Sequence, residues 1–304
     1  MHRRRDGHGD GHRAGGLSVE PSALGIIGAG TMGIGIAQVA AQAGLRVAIT
    51  DAHPEAFSSA RERLEASLTE SVERGKLTAE AAEACRRQVT WEADLRSLVE
   101  ADWVIEAVTE DMGAKREVLR TISAITHPET PLATNTSTFR IADLAQHCAR
   151  PDRFLGLHFF NPPPAMKLIE VIPGAATSAV VTEAALALCE RLGKTPLIAP
   201  DIPGFIVNRV FAALVAAAAD LWAAGAEAET IDRAIELGLA HKLGPLRSAD
   251  LVGLDVMLAV LRSLHEQTGD ARFRVPEGFV QLVESGKLGR KSGEGFHAHP
   301  GSRL

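Results

Sequence analysis

Two ionisable residues sit inside otherwise apolar runs, in the stretch LGLHFFNPPPAMKLIEVI at residues 155–172. A buried charge is costly unless it is paired, so His158 and Glu170 raise the question of whether they meet. If NPPPA turns the chain between two strands, positions equidistant from the turn face each other, and both residues lie equally far from position 164. A carboxylate that holds one imidazole nitrogen sets the tautomer and stabilises the imidazolium. The other nitrogen is then left to take a proton near neutral pH. In isolation such a pair reads as a satisfied core pair; beside a nucleotide site it reads as catalytic.

A nucleotide signature is present. The apolar run ALGII leads directly into GAGTMG, which places Gly28, Gly30 and Gly33 at GxGxxG spacing, with Thr31 and Met32 opening a helical pattern. Glycines there allow a tight turn, a close backbone approach to a pyrophosphate and close packing of helix on strand. The helix N-terminus offers unpaired N–H groups to the phosphates. The bare spacing is weak, since glycines also fill ordinary turns. Its context strengthens it: the next strand-like run, LRVAITD, ends in Asp51, placed to accept hydrogen bonds from a ribose diol and to repel a 2′-phosphate. The following AHPEA contains no arginine. NAD is therefore expected rather than NADP.

Two more polar residues lie at element ends. Ser137, in TNTST, follows a strand-like run where an α/β sheet presents its ligand edge, and Asn208, in GFIVNR, lies in the first turns of an apolar helix. Taken singly, they read equally as a helix cap and as a polar residue in a helix interior.

These residues need a frame. From Ala23 onward short apolar runs (ALGIIGAG, LRVAITD, DWVIEAV, PLATNTS, RFLGLHFF, KLIEVI) alternate at first with helical patterns such as EAFSSARERLEASLTESVERG. The pattern predicts an α/β, mostly parallel sheet of Rossmann type, with the pair around NPPP as an antiparallel exception. After APDIPG three helical segments follow, FIVNRVFAALVAAAADLWAAG, AETIDRAIELGL and ADLVGLDVMLAVLRSLHEQTG. The expected organisation is a disordered tail over 1–18, a dinucleotide-binding domain over 19–201 and a smaller all-α domain over 202–304. The helix from Phe205 is apolar almost all round, which predicts burial on every side, with a homodimer interface or a surrounding bundle as its cover.

Composition narrows the class. The chain of 304 residues is 46% hydrophobic and 23% charged with a formal net charge of -6, which disfavours nucleic acid as a partner. Three scattered cysteines make neither a disulfide framework nor a zinc motif, so no metal is expected and a reducing cytoplasm fits. The glycine-rich, basic MHRRRDGHGDGHRAGG lacks the apolar core of a signal peptide and reads as a solvated extension. The longest apolar run, Val210 to Ala219, is too short to span a bilayer.

Together IGAGTMGIGIAQVAAQAG, EAVTED, NTST, GLHFFNPPPAMKLIEVI, PGFIVNR, GPLRSADLVGLD and GRKSGEGF closely resemble the short-chain L-3-hydroxyacyl-CoA dehydrogenases, from about Ala23 to Phe296. The resemblance implies that His158 is the general base for the 3-hydroxyl proton and that Glu170 orients it. It implies that Ser137 and Asn208 bind the reacting oxygen, Asn208 from the second domain, with cleft closure. Glu110, Lys115 and Asn161 would join the NAD site, although from sequence alone they read as ordinary surface residues. Ser67 matches a position that binds the coenzyme A tail, whereas Arg74 stands where the family commonly has lysine, which leaves coenzyme A or an acyl carrier protein as the carrier. Arg61, Arg63 and Lys76 nearby add positive charge that either carrier would welcome, or form a solvated helix face.

Other departures are GFH (Phe296, His297) in place of GFY, a proline-richer turn, and Phe139 and Arg140 after the serine. Arg140 reads as a surface arginine at a helix start rather than as a partner for an acidic acyl group. The implied role is fatty-acid or polyhydroxyalkanoate-type metabolism. Alternatives are the same chemistry on a free hydroxy acid, as in gulonate dehydrogenases, and a crystallin-like protein without activity.

Overall fold

The computed structural model describes residues 21–300 together with residues 13–14 and 17–18. The expectation of a disordered extension over 1–18 lies mostly outside the described residues. Within it, Arg13–Ala14 and Leu17–Ser18 pair as a short antiparallel ribbon. The chain divides into two compact units, Met1–Asp201 and Ile202–Leu304.

The first unit is built on one eight-stranded sheet. Its strands are β1 (Ala23–Ile27), β2 (Arg46–Thr50), β3 (Val89–Glu92), β4 (Trp103–Glu106), β5 (Leu132–Thr134), β6 (Phe154–Phe159), β7 (Leu168–Pro173) and β8 (Thr195–Ile198), in the order β8-β7-β6-β5-β4-β1-β2-β3. Every pairing is parallel except β6 with β7. The strands read as continuous apolar runs because helices cover both faces of a parallel sheet. Burial follows: Leu24, Ile26, Val47, Ile49, Val104 and Ile105 are all closed to solvent. The strand order reverses at β1, between β2 and β4, which opens a crevice at the carboxyl ends of those strands where ligands bind in such sheets.

Helices α1 (Thr31–Gln42), α2 (Phe57–Glu73), α3 (Ala79–Gln88), α4 (Met112–Ile125), α5 (Ile141–Ala145) and α6 (Ala179–Arg191) complete the unit. α1 is buried nearly all round, at Ile34, Ile36, Val39 and Ala40 among others, because it packs on the sheet on one side and on α2 and α3 on the other. Two strands, VTWE (β3) and TPLI (β8), were not anticipated. Both are four-residue edge strands, half-exposed and without a continuous apolar run to mark them. Arg140 is exposed at the N-cap position of α5.

The second unit contains α7 (Val207–Ala223), α8 (Ala228–Leu239), α9 (Pro245–Val252), α10 (Leu254–Thr268) and α11 (Glu277–Glu284). The run ADLVGLDVMLAVLRSLHEQTG spans two helices, because Gly253 takes φ +103°, a conformation that ends α9 and is costly for any residue with a Cβ. The expected all-round burial of α7 does not hold within one chain. Ala212, Val215, Ala216 and Ala219 face the core, whereas Val210 is 65% and Leu221 57% exposed. The C-terminal segment is tied down by two buried carboxylates. Asp232 lies 2.7 Å from His297 Nε2, and Asp250 accepts the N–H groups of Phe296 and His297, so His297 has a packing role. Among the described residues no helix is long and apolar enough to cross a membrane. All three cysteines are free and buried.

Candidate active site

The turn after β6 brings the two ionisable residues together. The β6–β7 ladder pairs His158 with Glu170 directly, and His158 Nδ1 lies 2.7 Å from Glu170 Oε2, with the two residues 5% and 1% exposed. With the glutamate ionised, Nδ1 carries the proton and Nε2 is the basic nitrogen. The Phe160 ring is tilted against the imidazole at a centroid distance of 4.5 Å.

Two neighbours hold this strand end and turn. Asn135 Oδ1 accepts the N–H of Phe159 (2.9 Å), which ties the end of β5 to β6. Lys194 Nζ donates to the carbonyls of Pro163 (2.6 Å) and Met166 (2.8 Å), and burial holds its ammonium pKa below the usual lysine range. Pro163 rests on α1 at Gly35, where a Cβ would come within 2.6 Å of the proline ring. Neither Asn135 nor Lys194 was singled out in the sequence, where each is an ordinary polar residue in a loop.

The loop after β1 has the contacts that its glycines predict. Gly28 takes φ +110° and a Cβ there would lie 2.5 Å from the carbonyl oxygen of Ala107, in the loop after β4. A Cβ on Gly33 would lie 1.9 Å from the carbonyl oxygen of Gly28, so helix and loop touch. Gly30 differs, because a Cβ there meets nothing within 4 Å. That open space stands over the N-terminus of α1, where no side chain caps the N–H groups of the Thr31–Met32 turn. An uncapped helix start with free space above it suits a pyrophosphate. Asp51 closes the far side, its Oδ2 accepting from Ala29 N (2.7 Å) and its Oδ1 from His53 N (2.9 Å). The residues present therefore fit a dinucleotide.

Ser137 lies in a loop organised by charge. Glu110 Oε1 accepts from the hydroxyls of Thr136 (2.6 Å) and Thr138 (2.8 Å) and from Ser137 N (2.9 Å), and the Ser137 hydroxyl is 3.4 Å away. Burial pushes the Glu110 carboxyl up, but Lys115 and these hydrogen bonds outweigh it and hold its pKa below the usual range. Lys115, expected at the surface, is 1% exposed. Its Nζ lies 2.8 Å from Glu106 Oε1 and 3.3 Å from Glu110 Oε2. Glu106, also buried, accepts from Thr134 Oγ1 (2.6 Å) and Val108 N (2.8 Å). An ion network thus runs from the core of β4 to the Ser137 loop, and in sequence Glu106 gave no sign of it. Asn161 lies exposed at the start of the turn, followed by a cis Asn161–Pro162 bond. Asn208, in the second unit, is the half-buried second residue of α7.

Ser67 and Arg74 come together on a cavity of about 230 Å³ between the end of α2 and the prolines of the turn, shared with Gln42, Ser71, Lys76 and Pro164. Arg74 is exposed there and pairs with Glu70 at 2.6 Å.

Comparisons with known proteins give the family. A family model of the 3-hydroxyacyl-CoA dehydrogenase NAD binding domain matches residues 23–202, and one of the C-terminal domain matches residues 204–299. A probable 3-hydroxybutyryl-CoA dehydrogenase of Deinococcus radiodurans is 41% identical over 277 residues, 91% of this chain and 99% of its own. A 3-hydroxyadipyl-CoA dehydrogenase of Escherichia coli is 40% identical over 92% of this chain and 60% of its own. The crystal structure of (S)-3-hydroxybutyryl-CoA dehydrogenase from Ralstonia eutropha superimposes with a TM-score of 0.87 at 37% identity, over 92% of this chain and 99% of that one. With both domain models matched in order and a dinucleotide cleft beside a buried His–Glu pair, the chain belongs to the 3-hydroxyacyl-CoA dehydrogenase family of NAD-dependent oxidoreductases.

Proposed function

We propose that the protein interconverts an L-3-hydroxyacyl thioester and its 3-ketoacyl form, with His158 as the acid–base group. The carrying observation is the 2.7 Å contact between His158 Nδ1 and Glu170 in a buried strand pair. In oxidation Nε2 takes the 3-hydroxyl proton while Glu170 stabilises the imidazolium. In reduction the same nitrogen returns the proton. NAD, when bound, supplies the hydride acceptor. Residues Gly28, Gly30, Thr31, Met32, Gly33 and Asp51 would hold its adenosine and pyrophosphate, with Glu110 and Asn161 toward the nicotinamide end; Lys115, closed to solvent, would act on that end only through Glu110. Ser137 would donate to the reacting oxygen from a loop that Glu110 holds in place. Asn208 is assigned to substrate binding on the family pattern.

The cavity of Ser67, Arg74 and Lys76 supports a thioester carrier with a phosphate, because two cations and two hydroxyls line it against one carboxylate, Glu70, which Arg74 would exchange for the phosphate. Coenzyme A is the carrier most consistent with the relatives, which are named for CoA substrates. We assign the protein to the cytoplasm and to a homodimer. The exposed apolar face of α7 supports the dimer: Ile206 and Val210 lie beside Leu243 and Pro245 on a cavity of about 350 Å³ that a second chain would cover. The function is tested by NADH oxidation with acetoacetyl-CoA, its acyl-carrier-protein thioester and free acetoacetate. Turnover of acetoacetyl-CoA far above the free acid is expected. Turnover confined to the free acid would replace this reading with a hydroxy-acid dehydrogenase.

A further inference from the structure

The adenosine end of the dinucleotide cleft holds a cation that the sequence after Asp51 gave no reason to expect. Arg63, in the second turn of α2, reaches back over the glycine-rich loop, where its Nη2 donates to the carbonyl of Ala29 (2.8 Å) and its Nη1 to Ser59 Oγ (3.3 Å). The same residue, Ala29, gives its N–H to Asp51 Oδ2 at 2.7 Å. Asp51 and Arg63 therefore grip opposite ends of one residue of the loop, next to the open space at Gly30. Among the described residues no carboxylate lies within ion-pair distance of Arg63, whereas His53, two residues after Asp51, lies 3.2 Å from Glu55.

We infer that Arg63 is a specificity-determining residue for the ribose end of the cofactor, offsetting Asp51 so that a 2′-phosphorylated dinucleotide also binds. The inference rests on the reading of Asp51 as the ribose-diol acceptor. A carboxylate alone on this rim repels a 2′-phosphate. A guanidinium on the other end of the same loop residue attracts one, and its planar fork matches phosphate oxygens. Arg63 is held here only by neutral acceptors, a carbonyl and a hydroxyl. It can exchange either for the stronger charge-assisted contact without leaving another charge unpaired.

The test uses the full-length chain and calorimetric titration with ADP-ribose and 2′-phospho-ADP-ribose, for wild type, Arg63→Gln and Arg63→Lys. Gln carries no charge and is shorter than arginine, whereas Lys keeps the charge and most of the reach. Wild type is expected to bind both ligands. Arg63→Gln should weaken the 2′-phosphorylated one by about 10- to 100-fold, the range of a lost charge-assisted hydrogen bond, and ADP-ribose by less than about 3-fold. Arg63→Lys should recover part of the difference. Equal weakening of both ligands, which a merely structural role would give, or weakening of neither, overturns the inference. Wild type that binds ADP-ribose but not its 2′-phosphate also overturns it and leaves the NAD site standing. Failure to bind either ligand would sink the NAD site itself, and this inference with it.

Discussion

Lys115 Nζ lies 2.8 Å from Glu106 Oε1 with both side chains only 1% exposed, and through Glu110 the same ammonium reaches the loop that carries Ser137. A charge left alone at that depth is costly, whereas the intact network holds the loop at the carboxyl ends of β4 and β5. Lys115→Met should therefore lower unfolding stability by about 3–5 kcal/mol, the usual cost of removing one partner of a buried pair. Urea unfolding followed by tryptophan fluorescence measures this. A loss under about 1 kcal/mol would show that the pair is not what holds the loop.

Glu110 gives the network a pH dependence. Its folded pKa lies below the ordinary glutamate value, set by Lys115 and its Thr136, Ser137 and Thr138 hydrogen bonds against the opposing effect of burial. A depressed carboxylate contributes stability that is fully present above its unfolded pKa of about 4.3 and is lost as pH falls through the folded value. The melting temperature of wild type should exceed that of Glu110→Gln at neutral pH, and the gap should close on acidification below about pH 4. A gap that persists unchanged to the lowest pH reached would contradict the assignment.

The glycines of the dinucleotide loop should separate into two kinds. A Cβ at Gly33 has a backbone oxygen 1.9 Å away, so Gly33→Ala must displace α1 from the loop and should lower both stability and NADH affinity. A Cβ at Gly30 meets nothing in the protein, so Gly30→Val should keep the wild-type melting temperature within about 2 °C and still lose NADH binding, through contact with the cofactor alone. Fluorescence titration with NADH alongside thermal melts distinguishes them. Undiminished NADH binding by Gly30→Val would place the pyrophosphate elsewhere.

The exposed face of α7 makes a separate prediction. Val210→Asp places a charge where Val210 is 65% exposed in the single chain, so the isolated fold tolerates it, but an apolar subunit contact would not. Sedimentation velocity should show a dimer for wild type and a monomer for the variant. Monomeric wild type at micromolar concentration would remove the dimer proposal.

Much of the frame was legible because its signals are local. Short apolar runs mark the central strands, and equal distances from position 164 match the register that pairs His158 with Glu170. The edge strands β3 and β8 were not legible, since a half-exposed four-residue strand has no apolar run to reveal it. Lys115 read as a surface lysine because its burial depends on Glu106, in another element, and helix spacing says nothing of that partner. Arg63 reads in sequence only as one of the positive charges near Ser67 and Arg74. The residues directly after Asp51 contain no arginine, and the short connection that brings α2 back over the loop is what carries this one to Ala29.

The central claim, that His158 moves the substrate proton with Glu170 behind it, is tested most directly by His158→Gln assayed for NADH oxidation with acetoacetyl-CoA while NADH binding is titrated on the same preparation. The account predicts turnover reduced by at least about 10²- to 10⁴-fold, the contribution of a positioned general acid or base, with NADH affinity within about 3-fold of wild type. Turnover within 10-fold of wild type at unchanged NADH affinity would contradict it.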